Sequence, residues 1–226
     1  MSTKQDVVAL TSKGTHITAL VLNANRSLIA FTEYGDRPLL VVYDLEKMKR
    51  VKILRCAEFK SKDVVSLAFS HDSKYLLAQG GSPDYQLVYF FWEKGKVITT
   101  SRTVNQSLGG SVSSVSFHPK DRDIVCIVGK GIFRMCKLIE GSLKPFGFTK
   151  GDGLNCFAHS WLSNKHVLVA AEKGKVLLFE NAELKTTYSI QELVKEADED
   201  FHDEEIEEER EISALITFSG GFICSY

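Results

Sequence analysis

The sequence predicts an all-β fold, a β-propeller of about four blades plus the start of a fifth, interrupted by one acidic insertion. Two observations carry this expectation. Only four prolines stand against 16 glycines, and short β-rich apolar runs with almost no 3.6-residue periodicity fill the chain up to about position 190. The runs also recur. Leu22-Asn23, Phe69-Ser70, Phe117-His118 and Trp161-Leu162 each mark an apolar strand entering a polar turn, at spacings of 47, 48 and 44 residues, the period of a four-stranded blade.

The first unit, about 17–55, reads as strands at 17–22, 28–32, 39–43 and 49–54. In the second, about 64–103, residues 64–69 alternate as a half-buried strand and Ser70-His71-Asp72-Ser73-Lys74 supplies the polar turn. Its remaining strands are 75–79, 86–92 and 96–102. The third unit, about 112–148, places strands at 112–117, 124–128, 132–138 and 143–148 around the turn His118-Pro119-Lys120-Asp121. The fourth, about 155–190, has them at 155–161, 166–171, 175–180 and 185–190. Residues 191–211 read as an exposed insertion that starts as a short helix at 190–197 and is otherwise flexible, and 212–226 as the opening of a further blade.

With 226 residues, 44% apolar and 25% charged, the chain has enough apolar content for a folded core, which argues against a dominantly disordered state. The longest apolar stretches, 39–43 and 87–92, fall far short of the roughly 20 residues of a membrane-spanning helix. Polar residues Met1 to Asp6 lead into only a short apolar stretch at 7–10, so no secretory core is expected. The chain is therefore expected in the cytoplasm or cytoskeleton. Cys56, Cys126, Cys136, Cys156 and Cys224 form no C-x-x-C pair and lie mostly in apolar runs, as buried reduced thiols do. The six histidines show no metal-ligand spacing with them, and neither a metal nor a cofactor is expected.

An aromatic followed by an acid ends three of the third strands: Tyr43-Asp44, Trp92-Glu93 and Phe179-Glu180. They stand where WD40 repeats carry Trp-Asp, and packing between blades is their expected role. The match is degenerate, because no Gly-His pair precedes the first strands and unit three ends Lys137-Leu138.

The stretch from Val65 to Glu180 resembles the WD40 cilia- and flagella-associated protein 57 family, also called WD repeat-containing protein 65. The residues that carry the resemblance are Ser66-Leu67-Ala68-Phe69-Ser70, Asp72 to Gln79, Leu87-Val88-Tyr89, Trp92-Glu93-Lys94, Ala158-His159 with Trp161, and Gly174-Lys175 with Leu178-Phe179-Glu180. They cover about half of the chain in order. The resemblance implies a structural scaffold of the axoneme in motile cilia or flagella, involved in assembling and docking inner dynein arms near the regulatory complex. Family members carry two tandem propellers and then a long coiled coil. This chain has no coiled coil and stops at Ile216 to Tyr226, in what reads as an opening blade, so a truncated product, a splice form or a diverged relative is expected. About four blades leave open edges and uncovered blade faces, which predicts poor closure, self-association or completion by another chain.

No catalytic motif stands out. Gly80-Gly81-Ser82-Pro83 and Gly109-Gly110-Ser111 lack the Gly-Lys-Ser/Thr ending of a phosphate loop and read as turns. Glu-Lys-Gly-Lys occurs at 93–96 and 172–175, each time before a strand, which suits glycine at a left-handed hairpin position. G-x-S-x-G is absent, and the inner strands offer Val, Ser, Ala and Phe, so no enzyme is expected.

Charge is segregated. Net charge is −1, yet residues 192–211 hold twelve acids against Lys195 and Arg210, which leaves the body basic by nine charges. The densest basic patch is Lys47, Lys49, Arg50, Lys52, Arg55, Lys60 and Lys62. Lysines on an outer strand discourage edge-to-edge pairing, and the same residues could form a docking face for an acidic partner such as tubulin tails, or for the chain's own acidic segment. The expected partners are axonemal proteins, namely inner dynein arm or regulatory complex subunits and tubulin, with neither nucleic acid nor membrane. The alternative is a WD40 adaptor outside cilia that binds acidic or phosphorylated peptides.

Overall fold

A computed structural model describes residues 16–55, 57–104, 109–147, 153–197, 211–219 and 221–225. Cys56, the first fifteen residues, most of the acidic stretch (198–210) and Tyr226 lie outside them. The strands are β1 (Ile17–Leu22), β2 (Leu28–Glu33), β3 (Leu39–Asp44), β4 (Lys49–Arg55), β5 (Val64–Phe69), β6 (Tyr75–Gly80), β7 (Gln86–Phe91) and β8 (Lys96–Arg102). They continue as β9 (Ser111–Phe117), β10 (Ile124–Lys130), β11 (Ile132–Ile139), β12 (Ser142–Phe146), β13 (Cys156–Trp161), β14 (His166–Ala171), β15 (Lys175–Glu180) and β16 (Glu183–Ser189). Helix α1 (Ile190–Ala197) follows, and β17 (Ala214–Phe218) with β18 (Gly221–Ser225) forms a final hairpin.

Each run of four strands pairs antiparallel with its sequence neighbours, giving four separate four-stranded sheets and a fifth of two strands. The fold is the expected incomplete propeller. Its period is set at one turn in each blade. The amide N–H of Asn23, Ser70, His118 and Leu162 donates to the carbonyl of Leu28, Tyr75, Ile124 and His166, at 3.1, 3.0, 2.9 and 3.0 Å. These four residues are the ones whose spacing shows the repeat in the sequence, because the residue whose backbone N–H closes the turn directly follows the last residue of the innermost strand.

The sheets pack face to face, so the core lies between blades rather than at one centre. One apolar cluster joins blades 1 and 2 through Leu40, Val42, Leu76 and Phe90, and the next joins blades 2 and 3 through Leu77, Tyr89, Val115 and Phe117. A third, with Val128, Phe133, Val169 and Phe179, joins blades 3 and 4, and a fourth holds the last hairpin to blade 4 through Leu168, Ile212 and Leu215. Second strands such as β6 and β14 are therefore covered on both faces and read as nearly unbroken apolar runs. Outer strands such as β16 are exposed along most of their length.

Pairing register corrects one alignment. Tyr43, Phe90, Cys136 and Phe179 pair with Ile29, Leu76, Val125 and Val167, each the second residue of its blade's second strand. The slot in blade 2 is thus Phe90, and Trp92 lies two residues beyond it, past the end of β7. A shift of two keeps a side chain on the same face of a strand, so alternation alone does not separate the two aromatics. Trp92 and Phe179 pack between blades, as expected of them, with Phe90 beside Trp92 in the same cluster, whereas Tyr43 is half-buried because no described sheet precedes blade 1. Gly95 and Gly174 do take the left-handed conformation, at φ 65° and 60°, and Met48 takes it at φ 49° in the turn of blade 1 that corresponds to that of Gly95.

Candidate interaction surfaces

Strand β4 is the outer edge of blade 1, and seven residues at roughly 3.3 Å each make it about 23 Å long. The seven predicted basic residues consequently form a strip from one end of the blade to the other, not one cluster. Lys47 lies in the turn before β4 with Nζ 3.1 Å from Asp44 Oδ2. Lys52 donates from Nζ to the Glu93 carbonyl at 2.9 Å, tying blade 1 to the neighbouring blade. Lys60 and Lys62 belong to the loop before β5. The Lys60 amide donates to Asp84 Oδ2 at 2.9 Å, and Lys62 Nζ lies 2.9 Å from Asp36 Oδ1.

The pairs leave electrostatic signatures. Hydrogen bonding from Lys62 holds the exposed Asp36 carboxyl below its ordinary value, and Asp36 raises Lys62 in return. The Lys47 backbone N–H, more than its ammonium, lowers Asp44, so this acid closes a turn first and pairs second. Lys49, Arg50, Arg55 and Lys60 stay exposed, and among the described residues their side chains form no ion pair.

A second polar feature links the inner strands of blades 3 and 4, and sequence reasoning missed it. His159 on β13 stands with Nδ1 2.8 Å from Ser114 Oγ and Nε2 2.6 Å from Ser116 Oγ, both on β9. Trp161 Nε1 donates to the same Ser116 Oγ at 2.9 Å. Burial pushes the imidazole down to about 4, so it is neutral near pH 7, with one nitrogen donating and the other accepting. A serine next to a histidine suggests a nucleophile and base, but the third group here is a hydroxyl in place of the carboxylate that would hold an imidazolium. The arrangement is a strap between blades. Its signal in the sequence was faint: Ser114 and Ser116 share one face of a strand, and His159 stands alone among small and apolar neighbours.

Other candidates for chemistry are explained by packing. A Cβ on Gly80 would lie 2.6 Å from Ser61 Oγ and 2.8 Å from the Phe59 ring, so close packing explains this glycine, and one on Gly81 would press on the Asp63 carboxylate at 2.6 Å. Cys126, Cys136 and Cys156 are buried, and burial raises all three thiols, Cys136 to about 11 and Cys156 to about 12, away from thiolate reactivity.

Comparison with known proteins gives a consistent context. No family model matches the chain. It is 35% identical over 196 residues to cilia- and flagella-associated protein 57 of Mus musculus, covering 85% of this chain and 15% of that protein. Cilia- and flagella-associated protein 44 of the same organism is 25% identical over 190 residues, covering 80% of this chain and 10% of that one. A third relative, cilia- and flagella-associated protein 57 A of Tetrahymena thermophila, is 25% identical over 228 residues, covering 75% and 18%. The chain thus spans under a fifth of the length of these relatives. Among solved structures, the β-propeller domain of Myceliophteria thermophila Cps50 (Swd1) superposes with a TM-score of 0.72 at 18% identity, covering 97% of this chain and 64% of that one. That likeness shows the fold.

Proposed function

Since the chain belongs to the cilia- and flagella-associated protein 57 family, we propose that it is a scaffolding segment of the ciliary axoneme that contributes to assembling and docking inner dynein arms. A place in cilia or flagella is common to its relatives. The scaffold engages partners through surfaces, and one observation carries the choice of surface. Lys49, Arg50 and Arg55 line an exposed edge strand and form no ion pair among the described residues, which suits an acidic partner such as the tails of tubulin or an acidic face of an arm or regulatory complex subunit.

Replacing Lys49, Arg50 and Arg55 together by glutamate is expected to reduce microtubule co-sedimentation about tenfold, as is raising salt from roughly 0.1 to 0.3 M. Lys52 is left out of the variant because it holds blade 2. Unchanged pelleting of the triple variant would remove tubulin as the partner of this strip. A tagged chain that stays outside the cilium in a ciliated cell would favour the adaptor reading.

The uncovered faces point to a second mode of association. Leu20, Val51 and Ile53 on blade 1 are 52%, 45% and 40% exposed, and Ile216, Phe218 and Ile223 on the last hairpin are 62%, 53% and 63% exposed. Apolar side chains gathered on the two terminal sheets, and not scattered, mark surfaces made to be covered. Purified chain is expected to sediment as oligomers that Ile216→Asp with Ile223→Asp reduces to monomer. A compact, protease-resistant wild-type monomer would count against this mode.

A further inference from the structure

The residue opposite the one that precedes the second strand occupies one repeated slot at the end of the third strand or just past it. The N–H of Leu45, Leu138 and Asn181 donates to the carbonyl of Ser27, Asp123 and Lys165, the residue before the second strand of each blade, and the same register puts Trp92 there in blade 2. Side chains in this slot point to the preceding blade. At the junction of blades 1 and 2, Trp92 fills it: the ring is buried, packs edge-on to Phe69 with centroids 6.3 Å apart, and donates from Nε1 to the Ser73 carbonyl at 2.6 Å. At the junction of blades 2 and 3, Leu138 packs into the cluster that holds Tyr89, whose ring lies edge-on to Phe117 at 5.3 Å.

At the junction of blades 3 and 4 the slot is filled by neither. Asn181 is exposed, Met135 stands at the register position of Tyr89, and a cavity of about 150 Å³ remains. Its wall is apolar, formed by Met135, Trp161, Val167 and Ala182, and its mouth is bordered by Asn181 and Lys165. Apolar cavities of about this volume take a benzene-sized ring. His118 completes the wall with both ring nitrogens already engaged. Its Nδ1 accepts from the amides of Lys120 and Asp121 at 3.1 and 2.9 Å, and Nε2 donates to the Asn164 carbonyl at 2.5 Å. Lys165 is exposed and forms no ion pair among the described residues.

We propose that this cavity receives an aromatic side chain from an acidic peptide segment of a partner, the ring taking the place that Trp92 takes within the chain at another junction and a flanking carboxylate pairing with Lys165. An aromatic anchor in a preformed pocket with a charge at its rim is the usual form of an interface hot spot. The site lies on different blades from the basic strip of β4 and is independent of it.

The probe is an acetylated, amidated peptide of five residues, tryptophan between two pairs of aspartates, titrated calorimetrically into the whole chain. Saturable binding is expected, with none for the same peptide carrying alanine for tryptophan. Met135→Phe, which puts a ring where blade 2 has Tyr89, is expected to weaken binding at least tenfold without lowering the melting temperature. Lys165→Glu, on an exposed side chain, is expected to weaken it three- to tenfold and carries the test if Met135→Phe does not fold. Lys49→Glu with Arg50→Glu should leave binding unchanged. No saturation at millimolar peptide, equal binding of the alanine peptide, or full affinity in Lys165→Glu or in a folded Met135→Phe overturns the proposal.

Discussion

Phe179→Ala is expected to destabilise the protein by about 3–5 kcal/mol, the usual range for emptying a buried phenylalanine site. The ring is 0% exposed and stacks on Phe133 of the preceding blade, with centroids 4.1 Å apart and planes 25° apart. Both rings belong to the cluster that joins blades 3 and 4, so the cavity would open inside the junction and not at a surface that can collapse. Against a total stability of about 5–15 kcal/mol this is a large fraction. Tyr43→Ala is the control. Tyr43 occupies the same register slot but is half-buried, and its hydroxyl donates to the Met48 carbonyl at 2.6 Å, so about 1 kcal/mol is expected. Urea midpoints of the two variants measure the difference. Equal losses would mean that the slot matters for its strand and not for the blade it packs on.

Acid is expected to weaken the junction of blades 3 and 4 through His159. Its folded pKa is pushed down to about 4 by burial, from the ordinary 6.5 that applies in the unfolded chain. Between these values the unfolded chain binds a proton that the folded one refuses, so stability is fully present above pH 6.5 and declines as pH falls toward 4. Protonation would also make both ring nitrogens donors, while Ser116 Oγ already accepts from Trp161. Because the ring keeps some solvent contact, about 1–2 kcal/mol is expected between pH 6.5 and 5, above the range where most carboxylates titrate. His159→Gln is expected to flatten that limb while costing stability at pH 7. Denaturant midpoints at pH 5, 6 and 7 test it, and an equal slope in the variant would assign the acid sensitivity elsewhere.

Both predictions concern junctions between blades, where sequence and structure inform differently. Alternation within strands and the recurring polar turn are local, fixed by the chain's own neighbours, and they made the strands and the period legible. The turn residues Asn23, Ser70, His118 and Leu162 fall at one hydrogen-bonded position in every blade. Contacts between blades join residues distant in the chain, such as His159 with Ser116, 43 positions apart, or Lys52 with Glu93, 41 apart, and no local pattern specifies them. The basic strip shows both sides. Its charges are plain in the sequence, yet only the fold reveals that Lys47, Lys52 and Lys62 have partners while Lys49, Arg50, Arg55 and Lys60 carry no ion pair among the described residues.

The sequence by itself determined the fold class, the repeat and the family resemblance, because each rests on periodicity and on runs of residues read in order. Tertiary structure alone decided which aromatic fills which slot, because positions two apart share a face and only hydrogen-bond register distinguishes Phe90 from Trp92. It also decided that Asn181 stands beside a cavity while Trp92 and Leu138 pack into apolar clusters, since a void depends on every side chain that reaches it and not on the identity of any one of them.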